Sequence, residues 1–263
     1  MTGEAYPGYG VFRDDALAGR VVLVTGGNRG IGAATSVLAA RTGADVAIAY
    51  REHDEDAREV EAAVRELGRD VEAFQHDVGE PTQARELVRA VEQRFGRIDG
   101  LVNNAGIMPQ TPFLEVSDEE WDRVIRTNLY SAFHCSQSAI PGMLDRGGGS
   151  IVNVTSRLGQ IGFAGVAHYS SSKAGMIALT KSIAREFGQQ GIRANAVAPG
   201  VTNTHMAQAV MTGEVGRKRM AELPLGRFGE PAEVAAAVVF LLTDAASLFM
   251  GQTLNPNAGG YMP

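Results

Sequence analysis

The sequence predicts an α/β fold: one domain built on a doubly wound, seven-stranded parallel sheet. Three observations predict it. Short β-branched runs alternate with longer amphipathic runs along most of the 263 residues, as strand–helix–strand units require. No composition shift, internal repeat or low-complexity stretch divides the chain. Apolar residues make up 44% and charged residues 21%, which is ordinary for a globular chain and enough to bury a sizeable core.

The elements follow in order. Val21–Thr25 is the first strand, and the Gly-rich turn after it opens a helix at Ile31–Arg41. Val46–Tyr50 is the second strand. Ala57–Leu67 is a helix because Val60, Val64 and Leu67 recur at helical spacing. Val71–Gln75 and Ile98–Asn103 are strands three and four, separated by a helix at Thr82–Phe95. One long helix spans Trp121–Met143. Ser150–Thr155 is strand five, and a helix from Tyr169 to Phe187 leads to strand six at Ile192–Ala198. Pro231 starts a helix to Leu242, at a position where its missing N–H costs nothing. Gln252–Asn255 is the short last strand. Right-handed crossovers then bring the carboxyl ends of the strands to one edge, where ligands of such sheets bind.

Two segments stand apart from this alternation. Residues 1–18, with Gly3, Pro7, Gly8 and Gly10, read as an N-terminal extension, leaving 19–263 as the domain. Thr202–Leu223 is the least regular stretch and carries Met206, Met211, Gly213 and Met220. It reads either as a helical connection on the surface or as a mobile lid with pliable methionines.

Composition excludes several classes of function. Basic residues number 24 and acidic residues 30, a net charge of −6, which argues against nucleic acid or an anionic membrane as partner. The longest relevant apolar run, Val234–Leu242, is less than half of the roughly 20 residues a spanning helix needs. The opening residues lack the apolar core of an export signal. Cys135 is the single cysteine; no intrachain disulfide can form, and a reducing, cytoplasmic location is expected. His53, His76, His134, His168 and His205 show no metal-ligand spacing, so no metal is expected.

Three motifs carry chemistry. Thr25-Gly26-Gly27-Asn28-Arg29-Gly30-Ile31-Gly32 follows a strand and opens a helix. Glycines there let backbone N–H groups approach a pyrophosphate, and the helix N-terminus adds positive potential. It is neither the GxGxxG spacing nor a Walker loop. Tyr169 and Lys173 stand four apart, on one helix face. An ammonium about 4 Å from a phenol favours the phenolate by roughly 4 kcal/mol at an effective dielectric of 20, or about three pKa units. Ser156 ends strand five, and both it and Tyr169 belong at the carboxyl edge of the sheet. Taken alone, Ser156 could equally cap the backbone.

Together these residues resemble the short-chain dehydrogenase/reductase family in its single-domain Rossmann form. Thr25–Gly32 resembles the family's TGxxxGxG turn, Asn103-Asn104-Ala105-Gly106 its NNAG motif, Ser156 with Tyr169-xxx-Lys173 its active site, and Pro199-Gly200 its motif after strand six. The resemblance covers about residues 18 to 260. It implies a catalytic set of Asn128, Ser156, Tyr169 and Lys173. Tyr169 would exchange the proton with the carbonyl oxygen, and Ser156 would stabilise that oxygen. Lys173 would bind the nicotinamide ribose and lower the Tyr169 pKa, while Asn128 would hold a water linking Lys173 to solvent or act as a helix-kink residue.

The same resemblance implies the cofactor contacts. Gly26, Asn28, Arg29, Gly30, Ile31 and Gly32 would hold the pyrophosphate end. Tyr50, Arg51, Asp77 and Val78 would frame the adenosine, with Asn104, Ala105 and Gly106 beside it and Asn103 bracing the sheet. Pro199, Gly200 and either Thr202 or Thr204 would reach the carboxamide or phosphates. The ribose-binding acid of NAD enzymes ends strand two; here Tyr50 stands there, followed by Arg51, with Arg29 in the turn. Two guanidinium groups and no acid favour a 2′-phosphate, hence NADP(H), by about 2–4 kcal/mol. Glu52 turned inward would favour NAD(H) instead.

Arg157, Leu158, Gln160 and Phe163 lie where the resemblance places the substrate pocket. Arg157 would bind an anionic tail or stand in solvent. His168 would face the pocket or bond the backbone. The expected activity is ketone–alcohol interconversion, foremost NADPH-dependent reduction of a 3-oxoacyl thioester or other small-molecule carbonyl substrate. Two alternatives are a sugar or polyol dehydrogenase, suggested by Leu223–Pro231, and a non-catalytic nucleotide-binding regulator. A homotetramer is expected, paired through the Trp121–Met143 and Tyr169–Phe187 helices.

Overall fold

The computed structural model describes residues 14–263. Its strands are β1 (Val21–Thr25), β2 (Asp45–Tyr50), β3 (Val71–Gln75), β4 (Gly100–Asn103), β5 (Gly149–Val154), β6 (Ile192–Val197) and β7 (Thr253–Leu254). They form one seven-stranded sheet in the order β3-β2-β1-β4-β5-β6-β7, and every pairing is parallel. The order reverses between β1 and β4, so a crevice opens beyond their carboxyl ends.

The two faces follow from the period-two alternation of the strands. Val22, Val24, Val46 and Ile48 point to one side. There they meet α1 (Gly30–Arg41), α2 (Asp54–Glu66) and α10 (Pro231–Leu242). Val21, Leu23, Ala47 and Ala49 point to the other. They pack on α3 (Pro81–Phe95), α5 (Ser131–Asp145) and α7 (Ala167–Phe187). Local chemistry sets the helix ends. Pro81 opens α3, and Gly96 closes it with φ +76°, a conformation glycine tolerates. Glu230 and Glu233 form a reciprocal capping box at the start of α10.

Three expectations are refined. The single helix expected over Trp121–Met143 is α4 (Asp118–Ile125), a π-helical turn at Arg126–Tyr130, and α5. The wider turn sits at Asn128, whose side chain bonds across to the chain at Ile107; such interruptions favour functional sites. The irregular stretch after β6 folds as short helices, α8 (Gln208–Met211) and α9 (Gly213–Ala221), while α6 (Leu158–Ile161) is a single turn before α7. The expected arm, residues 1–18, lies mostly outside the described residues. Its end is docked: Leu17 is buried and its N–H donates to Thr42 O at 2.7 Å. No helix among the described residues is long and apolar enough to cross a membrane.

Candidate active site

The glycine turn is built by close approach. At Gly32 a Cβ would overlap the Gly26 carbonyl oxygen, so only glycine lets α1 begin there. Gly26 and Gly30 have φ of +61° and +54°, which glycine adopts without strain. Thr25 latches the turn to the β4 loop. Its hydroxyl accepts the N–H groups of Asn104 at 3.0 Å and Ala105 at 3.1 Å. Asn104 answers with its amide, donating to the carbonyls of Thr25 and Gly26 at 3.0 Å each. Asn104 thus lines the crevice and also shapes it. Asn103 points into the protein and braces β5 through Asn153 at 2.8 Å.

A cavity of about 560 Å³ runs from this turn along the carboxyl edge. Gly26, Asn28, Arg29, Gly30 and Ile31 form one end; Ser156, Tyr169 and Lys173 lie further along, facing Pro199, Gly200, Thr202 and Thr204. A second cavity of about 140 Å³ holds Tyr50, Arg51, Glu52, Asp77 and Val78. Both share Gly26, Asn28, Arg29, Ala105, Gly106 and Ile107 as wall, so an elongated ligand can pass between them.

This groove fits the dinucleotide. A Cβ at Gly106 would stand 3.2 Å from Asn128 Oδ1 and 3.5 Å from Lys173 Nζ, so glycine keeps the groove floor open. The unsatisfied N–H groups at the start of α1 supply the donors a pyrophosphate needs. Thr204 packs against Gly30, its methyl 3.2 Å from where a Cβ would sit. Thr202 is buried and its hydroxyl donates to Gly200 O at 3.2 Å. Of the two threonines, Thr204 stands nearer the phosphate end.

The expected ribose cations are both engaged. Arg29 lies 3.6 Å from Asp56. Arg51 holds Glu52 at 2.9 Å and lies 3.8 Å from Asp77. Glu52 is largely exposed and occupied by Arg51. Asn28 fixes this corner by donating to the carbonyls of Glu52 at 3.0 Å and His53 at 3.3 Å.

At the other end, Ser156, Tyr169 and Lys173 are all buried. Burial raises the Tyr169 phenol above its ordinary range, and its hydrogen bond with Ser156 works the other way. In the chain alone, therefore, the phenol is held up, not lowered. Lys173 lies 5.8 Å from the Tyr169 ring centroid, and burial lowers its ammonium to about 8. Its Nζ donates to Val154 O at 2.8 Å and meets Met176 Sδ at 3.5 Å; an ammonium has three donors, leaving one for the groove.

The Asn128 side chain clamps Ile107. Its Oδ1 accepts the Ile107 N–H at 2.8 Å, and its Nδ2 donates to Ile107 O and Ser172 Oγ at 3.0 Å each. Ser172 then donates to Tyr169 O at 2.7 Å. Both N–H donors of the amide and one acceptor site of its oxygen thus position the two walls.

His168 does not face the groove. It is fully buried; its Nδ1 accepts the Tyr169 N–H at 2.8 Å and its Nε2 pairs with Glu120 Oε1 at 3.1 Å. Arg157, Leu158 and Phe163 line the cavity as expected, but Gln160 is absent from its wall. Sequence reasoning missed Glu120, Ile107, Met108, Val210 and Arg219. Most of these reach the site across the fold, and no spacing in the chain marks them. No cluster among the described residues could hold a metal.

A proton donor held beside a serine hydroxyl, at the end of a dinucleotide groove, defines an oxidoreductase acting between alcohol and carbonyl. The comparisons agree. A family model described as enoyl-(acyl carrier protein) reductase matches residues 26–261. The chain belongs to the short-chain dehydrogenase/reductase family. It is 40% identical to the 3-oxoacyl-[acyl-carrier-protein] reductase FabG of Staphylococcus aureus (strain Mu50) over 91% of this chain and 97% of that protein. It is 41% identical to acetoacetyl-CoA reductase of Rhizobium meliloti (strain 1021), over 92% and 98%. Among solved structures, a blue fluorescent protein from a metagenomic library, in complex with NADPH, superposes with TM-score 0.89. That structure is 35% identical and covers 94% of this chain and 100% of its own.

Proposed function

We propose that this protein is an NADPH-dependent ketoreductase that converts a 3-oxoacyl thioester or a related carbonyl compound to the secondary alcohol. One observation carries the reading. Two adjoining cavities with a common wall place Arg29 and Arg51 at the adenosine end and the buried Ser156–Tyr169–Lys173 set at the far end. The names of the relatives, reductases of 3-oxoacyl-[acyl-carrier-protein] and acetoacetyl-CoA, support the substrate class.

The bound cofactor supplies the hydride. The chain's own residues handle the oxygen. Ser156 and Tyr169 donate hydrogen bonds to the carbonyl, and Tyr169 gives up its proton as charge develops there. A phenol held above its ordinary pKa by burial keeps that proton at neutral pH. Lys173 offers its remaining donor to the nicotinamide ribose, and Asn128 keeps Ile107 and Tyr169 in register. Gly26 to Gly32 and Thr204 serve the pyrophosphate, and Asp77 and Val78 the adenosine.

Leu158, Phe163, Met206 and Val210 give the outer part of the cleft an apolar strip, which suits an acyl chain better than a sugar or polyol. Residues 19–263 act as the one catalytic domain. A homotetramer fits the exposed Trp121, Tyr130 and Phe133 along α4 and α5; static light scattering tests it, and a monomer at micromolar concentration refutes it. The single buried thiol suits a cytoplasmic setting. The activity is tested by following NADPH absorbance with 3-oxoacyl thioesters, simple ketones and sugars. Turnover of the first two supports the reading; oxidation of sugars alone sinks it.

A further inference from the structure

The outer end of the cleft is lined by three arginines, Arg123, Arg157 and Arg219, beside apolar side chains. Arg123 is exposed and lies 4.0 Å from Glu120. The other two differ. Among the described residues, neither Arg157 nor Arg219 forms an ion pair with a carboxylate.

Both guanidinium groups are held in place. Arg157 follows Ser156 directly, and its Nη1 donates to Gly260 O at 3.0 Å. A side chain at Gly260 would overlap that same nitrogen, so the glycine makes room for the guanidinium. Arg219, on α9, stacks on the ring of Phe163 with its Cζ 5.0 Å from the centroid. Both are partly buried. Their charges act on one another: Arg157 is held below the ordinary arginine range, first by burial and then by Arg219, with Glu222 partly offsetting this.

Two like charges brought together in a half-buried cleft repel, and the arrangement becomes favourable when an anion joins them. Guanidinium forks match the oxygens of carboxylate and phosphate, and such charge-assisted bonds strengthen as water is excluded. The wall that carries Ser156 and Tyr169 thus also carries two cations with no carboxylate partner among the described residues. We propose that the substrate carries an anionic group, a carboxylate or a phosphate, gripped jointly by Arg157 and Arg219 while its carbonyl faces Ser156 and Tyr169. A short apolar stretch between the two groups lies along Leu158, Phe163, Met206 and Val210. The assignment rests on the ketoreductase reading of Tyr169 and deepens it by naming the second recognition point.

The test uses methyl ketones with two to four carbons between the carbonyl and a terminal group. Each is made with a carboxylate, a phosphonate or a neutral amide at that terminus. NADPH oxidation is followed with the unmodified protein, Arg219→Gln and Arg219→Lys, whose folding is checked by circular dichroism. The expected result is an anion-to-amide ratio in kcat/KM of about 10 to 100, carried mostly by KM. Arg219→Gln brings that ratio close to 1, and Arg219→Lys restores part of it. The larger of the carboxylate and phosphonate ratios identifies the anion. A ratio near 1 at every chain length, or one that survives Arg219→Gln, overturns the proposal. If neither these ketones nor 3-oxoacyl thioesters are reduced, the ketoreductase reading fails. Calorimetry with the same carboxylates and phosphonates then decides the site: binding abolished by Arg219→Gln upholds the arginine pair, and absence of binding dismisses it.

Discussion

Changing Arg29 and Arg51 together to alanine will reduce the preference for NADPH over NADH by about 10- to 100-fold. Charge-assisted hydrogen bonds from a guanidinium to phosphate are worth roughly 1.5–3 kcal/mol each when fully expressed. The structure trims that figure. The side chains of Arg29 and Arg51 are 46% and 48% exposed. Arg29 already leans on Asp56 at 3.6 Å, and Arg51 on Glu52 at 2.9 Å and Asp77 at 3.8 Å. A 2′-phosphate must share these cations with carboxylates, and exposed pairs deliver only about 0–1 kcal/mol. Between these limits, the two arginines together contribute about 1.4–2.8 kcal/mol, which is the stated fold-change. The assay is steady-state kcat/KM for both cofactors with one ketone, at low and high salt. High salt should shrink the preference of the unmodified protein, because the groups are open to solvent. Glu52→Gln should enlarge it by releasing Arg51 from its closest carboxylate. Equal or better efficiency with NADH in the unmodified protein would refute the reasoning, and so would a double variant that keeps the original ratio.

Tyr169→Phe keeps the ring and removes the exchangeable proton, so turnover should fall by about 10²–10⁴ while cofactor binding, measured by fluorescence titration, persists; near-normal turnover would exclude Tyr169 as the proton donor. Lys173 gives a pH signature: burial lowers its pKa to about 8 from an ordinary 10.5, so the folded state binds that proton less tightly than the unfolded chain. Its charge therefore costs stability in full below about pH 8, and the cost fades as pH rises toward the unfolded value. Urea melts should show Lys173→Met gaining most over the unmodified protein near pH 7 and progressively less toward pH 10; a gain that is flat or grows with pH contradicts this. His168→Ala strands the buried Tyr169 N–H and frees Glu120, a loss of about 1–3 kcal/mol. Turnover should drop with cofactor KM unchanged, and Glu120→Gln, which can still accept from Nε2, should retain most activity; a lower melting temperature with unchanged turnover would reduce His168 to a structural role.

The outline of this fold was legible because short-range patterns encode it. Val21–Thr25 and Val71–Gln75 are strands with the expected bounds; for the first, a β-branched run between an arginine and a glycine has few other uses. Pro231–Leu242 is equally faithful, with its proline at the first turn and a glutamate pair capping it. Trp121–Met143 was less so. The hydrophobic period there is helical throughout, and nothing local requires a π-turn. It is held by Asn128 bonding to Ile107 and Ser172, partners far away in the chain.

By itself, the sequence determined the class of the protein. The glycine turn, the Asn-Asn-Ala-Gly motif, Ser156 and the Tyr169–Lys173 pair are short, ordered signals whose spacing reflects local backbone geometry, and they name a fold and a chemistry together. Tertiary structure decided how strongly each residue can act. Only the assembled sheet shows that Arg51 is shared with Glu52 and Asp77, that His168 turns away from the cleft to hold the Tyr169 backbone, and that burial outweighs Ser156 in setting the phenol's acidity. Only there do Arg219 and Arg157 come to line one cleft. Charge, burial and hydrogen bonding depend on distances between residues remote in the chain, and those distances exist only once the layers have packed.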